Sequence, residues 1–373
     1  MKPHHGLVLG LLLISCLGGR VWAVETAASA TPEAQLWRLA EQAQAEEEQH
    51  LVLVHASPLH DFLDGVLIRL WTQAHTSLPP MTVKVIQDPK LMAYTYPNGV
   101  CYISSGMLSR IQSEDQLAMI LAHEMIHYLQ RHTLKAAGRY AMPFVHGSNA
   151  STVPGTAAEA GKSASVARFV QSAEQQADRE GLALMRQAGY CPDQVLVLLA
   201  NFEALPGPIK EHSFAKLAAR RRVQRIRQLL ENQPASNNCP DATRAQQDYR
   251  WHIAPALIAD ASAALQRGKW EQALDSISQY LVVEPQSPQA HFILGQIQSH
   301  RSIPDALQQA MAAYLEAIRL DRNYSAPYGA LGIIHFKAGR KTMARQYFET
   351  FLALAPQASE SAYIREYLQL CHE

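Results

Sequence analysis

Five consecutive residues, His123-Glu124-Met125-Ile126-His127, have the types and spacing to do chemistry. On a helix, positions i and i+4 lie about 40° apart and one turn up, so both imidazoles can reach one metal ion. Glu124 stands next to His123 around that helix and can reach a water on the ion without being a ligand itself. The flanking Leu117, Ala118, Leu121 and Ala122 continue a helical apolar face, which puts the motif in mid-helix. Two imidazoles and a carboxylate would be costly there without a partner, and a metal removes that cost. The plainer alternative is two satisfied core histidines with an exposed Glu124.

A hydrolytic zinc site needs a third protein ligand and one open position. Glu174-Gln175-Gln176-Ala177-Asp178 supplies a candidate, again with two side chains at i and i+4. Glu174 would bind the metal, and Asp178 would accept a hydrogen bond from a ligand imidazole and fix its tautomer. Taken alone, such a pair also fits a solvated helix face. Two histidines and a carboxylate suit Zn2+ best among divalent ions. Bound water on zinc has its pKa lowered toward ~7, and Glu124 would take its proton as general base.

Several elements must position these groups. Ser113, with Gln116 three residues on, predicts a capped helix over 114–132, and a second long helix is expected over 164–188 with Gly189 just past its end. The intervening 138–163, rich in Gly, Ser, Ala, Thr and Pro, reads as a loop over the site. Upstream, apolar periodicity predicts helices over 32–49 and through Phe62, Val66, Leu67, Leu70 and Trp71, the latter stopped by Pro79-Pro80. Alternation over 81–87 predicts a strand. Residues 93–104 read as β-structure around Pro97-Asn98-Gly99, either an edge strand able to pair with an extended chain or an ordinary core strand. The polar run 231–245 is the best domain boundary. Beyond it, Ala273, Ala310 and Ala344 recur at roughly 34-residue intervals, and Leu294-Gly295 recurs as Leu331-Gly332. This pattern resembles the tetratricopeptide repeat, with 359–370 as a terminal capping helix.

The sequence has 373 residues, 48% apolar and 18% charged, with 33 basic and 33 acidic side chains. That length implies two or three domains, and the balance excludes a disordered or collagen-like chain. No basic excess points to nucleic acid. The expected division is a signal peptide over 1–23, a catalytic domain over 24–235, a linker over 236–249 and repeats over 250–373. The leader has Lys2, an apolar run from Leu7 to Leu17 and small residues after it. Cleavage after Ala23 competes with a lipobox-like Leu13-Ile14-Ser15-Cys16, which would leave a lipid tether on Cys16. No later stretch is long and apolar enough to span a bilayer. Five cysteines lack any CxxC spacing. A secreted chain permits a disulfide, and Cys191–Cys239 is conceivable. Spacing does not fix connectivity, and unpaired buried thiols are the plainer reading.

The stretch Met92–His132 resembles the M48 family of zinc metallopeptidases. The resemblance is carried by Ala93–Gly99, Tyr102–Leu108, Glu114–Leu117 and His123–His127, and Glu174–Gly181 is similar to that family's third-ligand helix. With a leader and C-terminal repeats, the whole is similar to the family's periplasmic members. The resemblance implies an α+β, mostly α, zincin-like catalytic domain with a small sheet, followed by an all-α repeat domain. It implies one Zn2+ held by His123, His127 and Glu174, with Glu124 as base. It also implies protein or peptide substrates in the bacterial envelope, and contact with outer-membrane assembly machinery through the repeats. The family's His-Pro pair followed closely by Arg is altered here. Glu211-His212-Ser213 precedes Arg220-Arg221-Arg222 without the Pro. His212 would reach the metal's open position or polarise substrate, or is a plain surface histidine. Two other readings stand beside the enzyme. One is a chaperone or assembly adaptor with a latent zinc site, the other a scaffold held shut by His212.

Overall fold

A computed structural model describes residues 32–140, 157–204, 220–231, 239 and 242–371. The leader with Cys16, the loop positions 141–156 and His212 lie outside the described residues.

Helix α1 (Pro32–Glu48) and helix α2 (Ser57–Trp71) come first. Pro58 in the first turn lets α2 begin earlier than its apolar face predicts, since the missing N–H is an orphan there anyway. Three strands follow: β1 (Thr82–Ile86), β2 (Ala93–Thr95) and β3 (Val100–Ser104). Their order is β1-β3-β2, with β1 parallel and β2 antiparallel to β3. The 93–104 segment is therefore two strands. Of these two, β2 lies at the sheet edge, whereas β3 is central and buried. Helix α1 covers one sheet face. There Tyr94 and Tyr96 donate to Glu47, and Tyr102 donates to Glu48 at 2.9 Å.

After the single turn α3 (Ser105–Leu108) comes α4 (Glu114–Leu129), the central helix. Ser113 caps it as predicted, its Oγ accepting from the Gln116 N–H at 3.3 Å. The Gln116 side chain returns a bond to the Gln112 N–H. Apolar side chains surround α4, so it is buried almost throughout. It ends at Leu129, earlier than predicted, because Arg131 takes a left-handed φ of 52° before α5 (His132–Tyr140).

Helix α6 (Ala157–Gln187) starts inside the segment read as a loop. Residues 138–140 also belong to a helix, α5. The run Ala157-Ala158-Glu159-Ala160 favours helix intrinsically, which composition counted as loop material. Gly189, at φ +82°, closes α6 with paired bonds from the Gly189 N–H to Arg186 and from the Tyr190 N–H to Met185. Helices α7 (Gln194–Ala204) and α8 (Arg220–Glu231) complete this part. A disulfide joins Cys191 to Cys239, so those thiols are not free, whereas Cys101 is a buried free thiol.

Seven helices follow: α9 (Ala242–Gln266), α10 (Trp270–Val283), α11 (Pro288–His300), α12 (Ala306–Leu320), α13 (Ser325–Lys337), α14 (Lys341–Leu354) and α15 (Ser361–Leu370). They pack as pairs α9/α10, α11/α12 and α13/α14 with α15 as the cap. A Cβ on Gly295 would lie 2.5 Å from the Tyr314 ring and one on Gly332 2.4 Å from Phe348, so the repeated Leu-Gly lets each pair close on an aromatic. Residues 242–249, inside the expected linker, are the first turns of α9. Tyr249, Ile253 and Leu257 join the same hydrophobic cluster as Leu59, Leu63 and Leu117, so the first repeat helix is seated in the core of the preceding domain. Buried Asp260 secures the joint, accepting from Ser109 at 2.9 Å and from Ser276 at 2.5 Å. No helix among the described residues is long and apolar enough to cross a membrane.

Candidate metal centre

Helices α4 and α6 cross closely at the site. A Cβ on Gly181 would lie 3.1 Å from the His123 backbone N and 3.2 Å from its Cα, so glycine sets how near α6 comes. That approach delivers Glu174 to the two histidines. His123 Nε2 and His127 Nε2 are 3.1 Å apart, and the Glu174 carboxylate oxygens lie 3.6 Å and 3.5 Å from them. These three residues are one group able to offer ligand atoms to a single ion.

His123 is fully buried. Its Nδ1 lies 3.3 Å from Asp178 Oδ1, and the Arg222 guanidinium is 3.1 Å from the same nitrogen. Arg222 also donates through Nε to Asp178 Oδ1 at 2.9 Å and through Nη1 to Glu174 Oε2 at 3.4 Å. Arginine only donates, so Arg222 alone would make Nδ1 an acceptor, whereas Asp178 makes it a donor; ligation of a metal through Nε2 requires the second arrangement, with the ring and the guanidinium both donating to Asp178. Nδ1 then carries the proton and Nε2 keeps its lone pair for a metal. Burial alone would raise the Asp178 carboxyl. The His123 hydrogen bond and the Arg222 charge outweigh it and hold Asp178 below the usual carboxylate range.

His127 is set by a separate chain. Gln176 donates through its amide nitrogen to Glu180 at 2.9 Å, which turns its oxygen toward His132 Nε2 at 3.2 Å. Gln130 holds the other Glu180 oxygen at 3.0 Å. His132 Nε2 therefore donates and its Nδ1 accepts, and that Nδ1 lies 3.2 Å from His127 Nδ1. His127 carries its proton on Nδ1 and again presents Nε2. Burial lowers the His132 pKa, which favours the neutral ring the chain requires.

Glu124 is 2% exposed. Thr95, at the end of edge strand β2, donates to its Oε2 at 3.2 Å. Oε1 is buried with no hydrogen-bond partner. Burial pushes this carboxyl up to about 7, with the adjacent His123 opposing and Glu174 adding to the rise. Two lone-pair nitrogens, a carboxylate and an orphaned buried carboxylate oxygen form a donor set that a divalent metal with a water completes, so the residues fit the group.

The structure thus brings together His123, Glu124, His127, Glu174 and Asp178, all read from sequence. The sequence assigns no role to Thr95, His132, Gln176 or Arg222, although each lies within a run singled out above.

Residues 59–234 match the model of peptidase family M48, and residues 258–325 match that of a tetratricopeptide repeat. The chain is similar to a putative beta-barrel assembly-enhancing protease of Vibrio cholerae, 27% identical over 35% of this chain and 30% of that protein. It is similar to the beta-barrel assembly-enhancing protease of Escherichia coli K12, 26% identical over 39% of this chain and 33% of that protein. Against the mitochondrial metalloendopeptidase OMA1 of Schizosaccharomyces pombe it is 28% identical over 45% and 52%. The chain thus spans about a third of the length of the two bacterial relatives and about half of the yeast one.

Proposed function

Because residues 59–234 are a family M48 peptidase domain followed by tetratricopeptide repeats, we propose that the chain is a zinc-dependent endopeptidase of the bacterial cell envelope. It would cleave misfolded or stalled envelope proteins, outer-membrane proteins among them. The observation that carries this reading is the convergence of His123, His127 and Glu174 beside a buried Glu124 with one unpartnered oxygen.

His123, His127 and Glu174 would hold the ion. When bound, zinc polarises a peptide carbonyl and lowers the pKa of its water to about 7. Glu124 Oε1 takes a proton there and returns it to the leaving amine. Thr95 fixes the other carboxylate oxygen, so Oε1 is the one left to move protons. Asp178, with Arg222 behind it, keeps the His123 ring in register. Neutralising half-buried Glu174 and organising two imidazoles are tasks a structural core would not set.

The envelope setting is supported by the leader-like N-terminus and by the names of the Vibrio and Escherichia relatives. On this reading the protein lies in the periplasm, free or tethered at Cys16, and its repeats meet substrates or the outer-membrane assembly machinery.

The test is Glu124→Gln. The variant is expected to bind one zinc per chain as the parent does and to lose cleavage of an unfolded protein by at least a hundredfold. Full cleavage by the variant would overturn the reading. If instead it corrected every envelope defect of a deletion strain, the adaptor reading would take its place.

A further inference from the structure

Strand pairing places a free thiol behind the general base. In β2 and β3 the alternation of side chains sends Tyr94 and Tyr102 toward α1, where they bond Glu47 and Glu48. Thr95 and Cys101 form the next cross-strand pair, so both point to the other face, toward Glu124. Thr95 is 4% exposed, and Cys101 is fully buried. Directly paired residues hold their Cβ atoms about 5 Å apart, which brings a hydroxyl and a thiol within reach of each other. These two side chains do form a hydrogen bond.

The direction of that bond follows from counting protons. A threonine hydroxyl has one proton to give and two lone pairs to accept with. Its proton goes to Glu124 Oε2 at 3.2 Å, because a carboxylate only accepts. Cys101 is then left to donate its S–H to Thr95 Oγ1. Burial, reinforced by the Glu124 charge, pushes the Cys101 thiol up, so the proton it gives stays on sulfur. The Tyr102 carbonyl also lies near this sulfur, at 3.9 Å, a long contact. A donor on Oγ1 turns the hydroxyl proton toward Glu124 and strengthens the second bond. Glu124 Oε1 has no hydrogen-bond partner. Among the described residues, the Thr95 bond is therefore the one that fixes the carboxylate rotamer.

We propose that Cys101 and Thr95 are positioning residues for the general base. Cys101 donates to Thr95, Thr95 donates to Glu124 Oε2, and Oε1 is thereby held for proton transfer. This rests on the peptidase reading and adds what orients its base.

The test has two parts. The first is steady-state cleavage of fluorescein-labelled casein by the zinc-loaded full chain. Thr95→Val keeps the shape and removes the hydroxyl. Its kcat should fall roughly ten- to a hundredfold, with KM and zinc affinity unchanged. Thr95→Ser should recover most of that loss. Cys101→Ala should lower kcat about threefold in the parent and not at all in Thr95→Val, because it acts through that hydroxyl. Cys101→Ser, which keeps a donor, should match the parent. If Thr95→Val fails to fold, Thr95→Ala carries the same comparison. The second part is the infrared S–H stretch of the metal-free chain, assigned by its loss in Cys101→Ala. It should rise in frequency in the Thr95 variant, where the thiol loses its acceptor. An unmoved S–H band, an unchanged kcat, a change confined to KM, or equal losses from Cys101→Ala in both backgrounds would overturn the proposal and leave the peptidase reading standing. A parent that cleaves nothing would overturn both.

Discussion

His132 Nδ1 faces His127 Nδ1 at 3.2 Å, so one imidazole dictates the tautomer of another. The consequence falls on the far side of His127, where Nε2 is left with its lone pair. His132→Phe keeps a ring of similar volume and removes the acceptor. Zinc affinity is expected to fall about 10–100-fold. Competition against a chromophoric chelator measures it, with circular dichroism to show that the fold is intact. Unchanged affinity would mean that the two rings merely touch.

Gly181 sets the separation of α4 and α6. A Cβ there meets the His123 backbone at 3.1–3.2 Å, and backbone cannot swing aside as a side-chain tip can. Gly181→Val is expected to lower stability by about 1–3 kcal/mol. Because the same displacement draws Glu174 away from His123 and His127, zinc affinity should fall with it. Denaturant melts and metal titration are read together. A loss of stability with normal zinc binding would separate the helix crossing from the site.

The Cys191–Cys239 disulfide closes 48 residues of chain, and helix α8 with Arg222 lies within that loop. Closing a loop of this length restricts the unfolded chain and stabilises the fold by about 2–4 kcal/mol. The double variant Cys191→Ser/Cys239→Ser is expected to unfold at correspondingly lower urea, and reductant should do the same to the parent. Reductant should leave the double variant unmoved. If it moves both equally, the stabilisation comes from elsewhere.

How far these features could be read from the residues depended on how local their causes were. His123 and His127 are one turn apart on one helix, and Ser113 caps that helix from the adjacent position, so both follow from spacing. The repeats were legible because Ala273, Ala310 and Ala344 recur at similar intervals, 37 and 34 residues. Arg222 was not, because nothing within 220–222 marks which arginine turns inward. Only the fold brings it to Asp178, 44 positions earlier in the chain. His132 was hidden for a similar reason, since its partner Gln176 comes from another helix. Residues 93–104 looked like one strand because composition reports β-structure but not which part takes the edge.

The pH dependence of the repeat region should be governed in part by His335. This residue is 3% exposed on α13 and stacks on Tyr347 at a centroid distance of 5.3 Å. Its Nδ1 is buried with no hydrogen-bond partner. Burial, with a smaller contribution from the Arg340 charge, lowers its pKa below the ordinary value of 6.5. The folded chain therefore keeps the ring neutral where the unfolded chain begins to take up a proton. The unfolded state binds more protons in that window, so stability is greatest above about pH 6.5 and falls as the pH drops below it. In His335→Phe the ring stays apolar at every pH. Urea melts at pH 7.5 and 5.5 are expected to show the parent losing more stability than the variant, by an amount on the order of 1 kcal/mol. Equal losses would show that the ring is already protonated, or freely hydrated, in the fold.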